Sequence, residues 1–195
     1  MSKIVLLDVD GVLCDFVAGV MRSVATCSDE RADLSDWDFL GKLSPHAKRA
    51  YLADSAKPGF GYGLDPLPGA VEGVQALRED SHDLVAVTAP LLHCPTWEGE
   101  RREWLRHHFG FAARDVVFTS RKDLVHGDVL VDDKPAHITD WSLRWGKCGV
   151  LWAQPYNSEK DCQGSAFAWR TNDWQHIREY LRRIHLDPLQ YVYER

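Results

Sequence analysis

The chain has 195 residues, 45% of them apolar and 11% aromatic, which suits one globular core with room for a small insertion. Its formal charge of −6 excludes a general grip on a nucleic-acid polymer, yet leaves open a small anion held by a local cation. Five cysteines without a CxxC pair, and no apolar run near the ~20 residues of a membrane span, set the expectation of a reduced, cytoplasmic protein with no membrane partner.

The N-terminus passes from Met-Ser-Lys directly into "IVLLDVD", without the h-region of a signal peptide. Residues 3–9 read as a strand buried on both faces, because the run is apolar without alternation. Gly11 permits a turn, and Phe16, Val17, Val20, Met21 and Val24 recur at helical spacing over 15–27. Residues 28–65 change character: polar, aromatic and punctuated by Pro45, Pro58, Gly59, Gly61 and Gly63. They read as short helices and loops forming a small cap.

Pro68 and Gly69 open an amphipathic helix through Leu77. A buried strand follows at 83–90, then a helix at 97–109, then strands at 115–120, 128–135 and 147–155. Asn172 or Asp173 caps a last helix near 173–184, and "DPLQYVYER" reads as a tail or edge piece. Strands alternating with helices predict an α/β fold, a Rossmann-like parallel sheet with a small, mostly helical cap inserted after the first strand. The predicted core is 1–16 and 66–195, and the predicted cap 17–65.

Ligands of such sheets bind at the carboxyl ends of the strands. That is where this sequence concentrates its chemistry. Asp8 and Asp10 end the first strand, Thr88 the second, Lys122 follows the third, and Asp132 and Asp133 end the fourth. Residues i and i+2 of a strand share a side, so Asp8 and Asp10 lean toward one spot. Two such carboxylates beside an apolar core need a cation or raise each other's pKa. Oxygen-only ligands suit Mg²⁺, and the absence of His or Cys from both acidic motifs disfavours zinc. A carboxylate nucleophile, a second carboxyl for proton transfer, a lysine and a hydroxyl are the requirements of phosphoryl transfer. Each motif alone has a plain reading, since Asp is common in turns and a loop lysine is usually solvated. Their joint order, each after a strand, is what carries the signal.

"DVDGVLCD" resembles the first motif, DxDGxxxD, of the haloacid dehalogenase superfamily of phosphohydrolases. "VTAP", Lys122 in "TSRKDLV", and "VLVDD" resemble its second, third and fourth motifs. The likeness extends to the 5′(3′)-deoxyribonucleotidases of that superfamily through "CDF", "KPGFGYGLDPLPGA", "APLLHCPTWEGERREWL" and "WRTNDWQHIREYL". It covers most of the chain and is weakest over 25–55.

The resemblance implies an Mg²⁺-dependent phosphomonoesterase that cleaves deoxyribonucleoside monophosphates, with a small nucleotide as partner and a homodimer left open. Asp8 becomes the nucleophile that forms an aspartyl-phosphate, and Asp10 the general acid and then base. Asp8, the backbone carbonyl of Asp10 and Asp133, favoured over Asp132, hold the metal. Thr88, the backbone at Ala89, and Lys122 hold phosphate; Phe16, Phe60 and Tyr62 are candidates for a base- or sugar-facing pocket, with packing in the core of the cap as the alternative. One departure stands out: the family has serine where this chain has Ala89, so one phosphate-facing hydroxyl is missing. The alternatives are the same chemistry on another small phosphate, such as a sugar phosphate, or a nucleotide binder without catalysis. The histidines, among them His93, His107, His108, His126 and His137, fit no zinc pattern and are expected at the surface or behind the site, with His107 and His108 pointing apart.

Overall fold

The computed structural model describes residues 2–162 and 168–184. Strand β1 (Ile4–Leu7) is apolar throughout because both its faces are covered. Val5 and Leu7 join a cluster with Val74, Leu77, Trp104, Leu105 and Ile177, whereas Leu6 faces Ile138, Trp141 and Leu130. Each large side chain buried in this way contributes about 2–3 kcal/mol. Val5 pairs with Leu84 on one flank and Val129 on the other.

After β1 the chain runs through helix α1 (Phe16–Ala25), the short α2 (Phe39–Lys42) and α3 (Pro45–Ser55). Asp15 caps α1 by accepting from the Ala18 N–H at 2.9 Å, and Ser44 caps α3 ahead of Pro45. These helices bury a cluster of their own, with Val20, Val24, Phe39, Leu43, Ala47 and Tyr51. Helix α4 (Ala70–Glu79) leads into β2 (Asp83–Thr88), α5 (Trp97–Phe109) and β3 (Val116–Phe118). Then come β4 (Val129–Asp132), α6 (Pro135–Trp145), β5 (Gly149–Trp152), β6 (Ala168–Thr171) and α7 (Trp174–Arg183).

The six strands are all parallel, in the order β3-β2-β1-β4-β5-β6. The chain winds outward in both directions from β1, so the crevice for a ligand opens at that strand's carboxyl end. The predicted α/β class holds, and α5 spans the predicted 97–109. The predicted strands run past the observed ladders, mostly into polar or proline residues such as Thr119, Ser120, Asp133, Lys134 and Pro135, which belong to the loops that follow. Helix α6 and strand β6 are additional to the predicted elements. The predicted tail, 187–195, lies outside the described residues. Among the described residues no helix is long and apolar enough to cross a membrane.

Candidate active site

The carboxyl end of β1 carries the first motif. The Asp8 N–H still donates to the Val131 carbonyl at 2.9 Å, so Asp8 is fixed by the sheet although it lies one residue beyond the strand. Its Oδ1 accepts from the Val9 N–H at 2.6 Å. Gly11 then turns at φ +84°, a conformation that L side chains rarely adopt. Space makes the same demand: a Cβ on Gly11 would lie 2.0 Å from Oδ2 of Asp133 and 2.7 Å from the Tyr156 hydroxyl.

Lys122 arrives from the 3₁₀ turn after β3 and is buried. Its Nζ lies 2.6 Å from Oδ1 of Asp8 and 2.7 Å from Oδ2 of Asp132. One ammonium therefore serves two buried carboxylates from adjacent strands. Burial would raise the carboxyl of Asp132, but Lys122 beside it, aided by His137, brings it down to about 2. Asp8 goes the other way. Burial first, then the neighbouring Asp132, lifts it from 3.8 to about 7 against the pull of Lys122. Burial and the charge of Asp8 also raise Asp133, despite the hydrogen bond it accepts from the Tyr156 hydroxyl. Burial and the two partners' attraction oppose each other at Lys122, and attraction wins, so its ammonium is held charged.

This imbalance tests whether a divalent cation suits the site. Asp8, Asp132 and Asp133 are all buried and have one buried lysine among them. Buried charge without a partner is costly, and an all-oxygen donor set matches a hard cation. The residues therefore fit Mg²⁺. Asp8, Asp132 and His137 also bring ligand atoms within 4.8 Å of one another. Lys122 already fills the space between Asp8 and Asp132, however, and His137 Nδ1 rests on Asp132 at 3.1 Å. Among the described residues, no cationic side chain pairs with Asp133.

A cavity of about 420 Å³ opens over these groups. Asp8, Asp10, Lys122 and Asp133 line its floor; Phe16, Leu34, Trp37, Tyr51 and Trp97 line its walls. The predicted pocket residues divide. Phe16 lines the cavity, as does Ala89 of the expected phosphate contacts, whereas Phe60 and Tyr62 do not. Phe60 stacks on Trp97 from behind, with ring centroids 6.3 Å apart, and Tyr62 stands exposed against His107. The chain places both rings on the far side because Glu100 draws their loop onto α5. Its carboxylate accepts from the N–H groups of Gly59 at 2.7 Å and Gly61 at 2.8 Å. Thr88 is wholly buried beneath the floor, its hydroxyl turned toward the Ala89 carbonyl at 3.5 Å.

Several participants are not among the residues expected from the sequence. Arg101 on α5 donates from Nη2 to Oδ1 of Asp10 at 2.7 Å. Asn157 donates to the Asp133 carbonyl at 2.7 Å, and Gln154 to the Gly11 carbonyl at 2.7 Å, tying the loop after β5 to two motifs. Only Arg101 leaves a signal. It sits at i+4 from Trp97 and i−3 from Trp104, a charge on the apolar face of a helix. The expectation that His107 and His108 point apart is corrected: their rings meet edge to face at 4.8 Å.

Residues 2–185 match the family model for the cytosolic type C 5′ nucleotidases, described as deoxy (pyrimidine). The chain belongs to that family. Its relatives include the human cytosolic 5′(3′)-deoxyribonucleotidase, 36% identical over 141 residues that cover 67% of this chain and 70% of that protein. A Bordetella bronchiseptica protein, named provisionally as a 5′(3′)-deoxyribonucleotidase, is 28% identical over 183 residues, covering 89% of this chain and 94% of its own. A haloacid dehalogenase family hydrolase of Deinococcus radiodurans, solved with phosphate and sodium, shares the fold with a TM-score of 0.59. It is 18% identical, and the match covers 95% of this chain and 97% of that one. As a member of this deoxyribonucleotidase family, the protein is a phosphohydrolase, and it shares the fold of haloacid dehalogenase family hydrolases.

Proposed function

We propose that the protein hydrolyses deoxyribonucleoside monophosphates, using Asp8 as nucleophile and Mg²⁺ held by Asp8, the backbone carbonyl of Asp10 and Asp133. The observation that supports this most is the meeting of Asp8, Lys122, Asp132 and Asp133 under a cavity walled by aromatic rings. The floor suits a phosphoryl group. The walls suit a flat base, since each stacked aromatic contributes about 1–3 kcal/mol to binding. A sugar phosphate, rich in hydroxyls, would find few hydrogen-bond partners on Phe16, Leu34, Trp37 and Trp97.

Asp8 attacks phosphorus while the P–O bond to deoxyribose breaks, and Asp10 gives its proton to the departing oxygen. Asp8 then carries the phosphoryl group as an acyl phosphate. Water attacks that phosphorus, Asp10 takes the water's proton, and the bond to Asp8 breaks to release inorganic phosphate. Lys122 pulls Asp8 toward its ionised form, against burial and Asp132, and faces the charge that grows on the phosphoryl oxygens. Asp132 orients Lys122 from behind, its second oxygen accepting from the Lys134 N–H at 2.9 Å. Mg²⁺, when bound, supplies charge neutralisation for the phosphate and for the surplus carboxylates. Ala89 offers only its backbone where the family has a serine, so phosphate contacts rest more heavily on Lys122.

Phosphate release from a panel of dUMP, dTMP, dGMP and several sugar phosphates tests the reading. The deoxynucleotides should turn over fastest, and only with a divalent cation present. Faster release from sugar phosphates would overturn the substrate assignment, and nucleotide binding without release would overturn the enzyme assignment.

A further inference from the structure

Arg101 stands one layer behind the floor of the cavity. Its side chain is fully buried in α5, and its guanidinium lies over the rings of Trp97 at 4.2 Å and Trp104 at 5.2 Å. Among the described residues it makes one ion pair, from Nη2 to Oδ1 of Asp10 at 2.7 Å, and Nε and Nη1 have no hydrogen-bond partner. The Cys14 thiol lies beside it but is a weak acceptor. Asp10, by contrast, keeps 27% of its side chain accessible and lines the cavity, which Arg101 does not reach.

An ion pair with one partner fully buried is a poor stabilising device. An apolar side chain of similar length in the slot between two indoles would serve the core as well or better. The charge, with two donors unmet, calls for a reason other than stability. Its geometry supplies one. Packed against two large rings on a helix, the guanidinium holds Oδ1 of Asp10, whose part-exposed side chain lines the cavity.

We propose that Arg101 is a positioning residue, one that fixes the pose of the Asp10 carboxyl so that its other oxygen meets the leaving oxygen and later the attacking water. This rests on the reading of Asp10 as proton donor and acceptor given above. Arg101 touches no substrate and acts through Asp10 alone. In the first half-reaction the P–O bond to the leaving group breaks, and the proton on Asp10 passes to that oxygen. A leaving group that departs as a stable anion does not need that proton, whereas a deoxyribose alkoxide does.

The test compares first-turnover rates of dUMP and p-nitrophenyl phosphate in Arg101→Met, which fills the slot without charge, and in Arg101→Lys. With Arg101→Met, the first turnover of dUMP should fall about 100-fold, as expected for lost general acid catalysis. Release of p-nitrophenolate in the first turnover should stay within about threefold of wild type and appear as a burst, because the later attack of water still needs Asp10. KM for dUMP should hardly move. Arg101→Lys should recover part of the dUMP loss, and it carries the same comparison if Arg101→Met does not fold. Equal losses on both substrates, or no loss on either, would overturn the positioning role while leaving the proposed activity standing. A wild-type protein that releases phosphate from neither substrate would overturn the activity itself, and this role with it.

Discussion

The ammonium of Lys122 lies 2.6 Å from the carboxylate of Asp8, both of them buried at the carboxyl end of the central strand. They come from residues 114 positions apart, and the parallel order of β1, β2 and β3 brings them together. The same ammonium reaches Asp132 at 2.7 Å. Removing it strands two buried acids.

Lys122→Met should therefore lose stability as well as turnover. Breaking a buried pair from one side costs about 3–5 kcal/mol. The variant should melt well below the wild type, and millimolar Mg²⁺ should recover a larger share of stability in the variant than in the wild type. Phosphate release should fall by at least about 100-fold. Thermal melts with and without Mg²⁺, beside a phosphate assay, check both.

Asp8 gives the pH dependence its sign. Its folded pKa, about 7, stands above the ordinary 3.8. Without metal, the folded state holds this proton more tightly than the unfolded chain does. That stability is fully present below about pH 4 and is lost as pH rises through about 7. Metal competes with the same proton, so Mg²⁺ should raise the melting temperature more at about pH 8 than at about pH 5.5. An increment that is equal at both pH values, or larger in acid, would count against Asp8 as a ligand.

Gly11→Ala should cost about 3 kcal/mol, since the turn has φ +84° and the added Cβ meets the buried carboxylate of Asp133. Chemical denaturation measures the loss. Mg²⁺ affinity, read by calorimetry, should fall with it, because Asp133 has to move.

Glu100→Gln should loosen the loop 59–62. The carboxylate takes the N–H groups of Gly59 and Gly61 on separate oxygens, and an amide offers one acceptor in their place. The loop carries Phe60, which backs the cavity wall at Trp97. KM for the nucleotide should rise severalfold with kcat nearly unchanged. A fall in kcat alone would contradict a role confined to the wall.

Much of this was legible in advance, for physical reasons. An apolar run ending in two acids cannot be an ordinary surface strand, and two such ends, with a threonine and a lysine after the other two strands, implied one shared site; Asp8, Lys122, Asp132 and Asp133 meet there. Helix α5 was readable to its ends because Trp97, Trp104 and Leu105 share a face and Gly110 stops it at φ 68°. Strand β6 was not, because "AWRT" alternates too briefly to announce itself. Helix α6 offered Pro135 and the Ile138–Trp141 pair, a signal easily passed over beside the acidic motif. Phe60 and Tyr62 sit where a single carboxylate pulls their loop, a long-range contact with no local pattern. Arg101 could have been found from helical spacing alone.

The most direct measurement of the central claim is to quench the working enzyme in acid and locate the phosphoryl group by mass spectrometry of its peptides. The account predicts phosphate on Asp8 within the peptide that contains "LLDVDG", formed in the first turnover and absent from Asp8→Asn. Phosphate on any other residue, or undiminished turnover by Asp8→Asn, would contradict it.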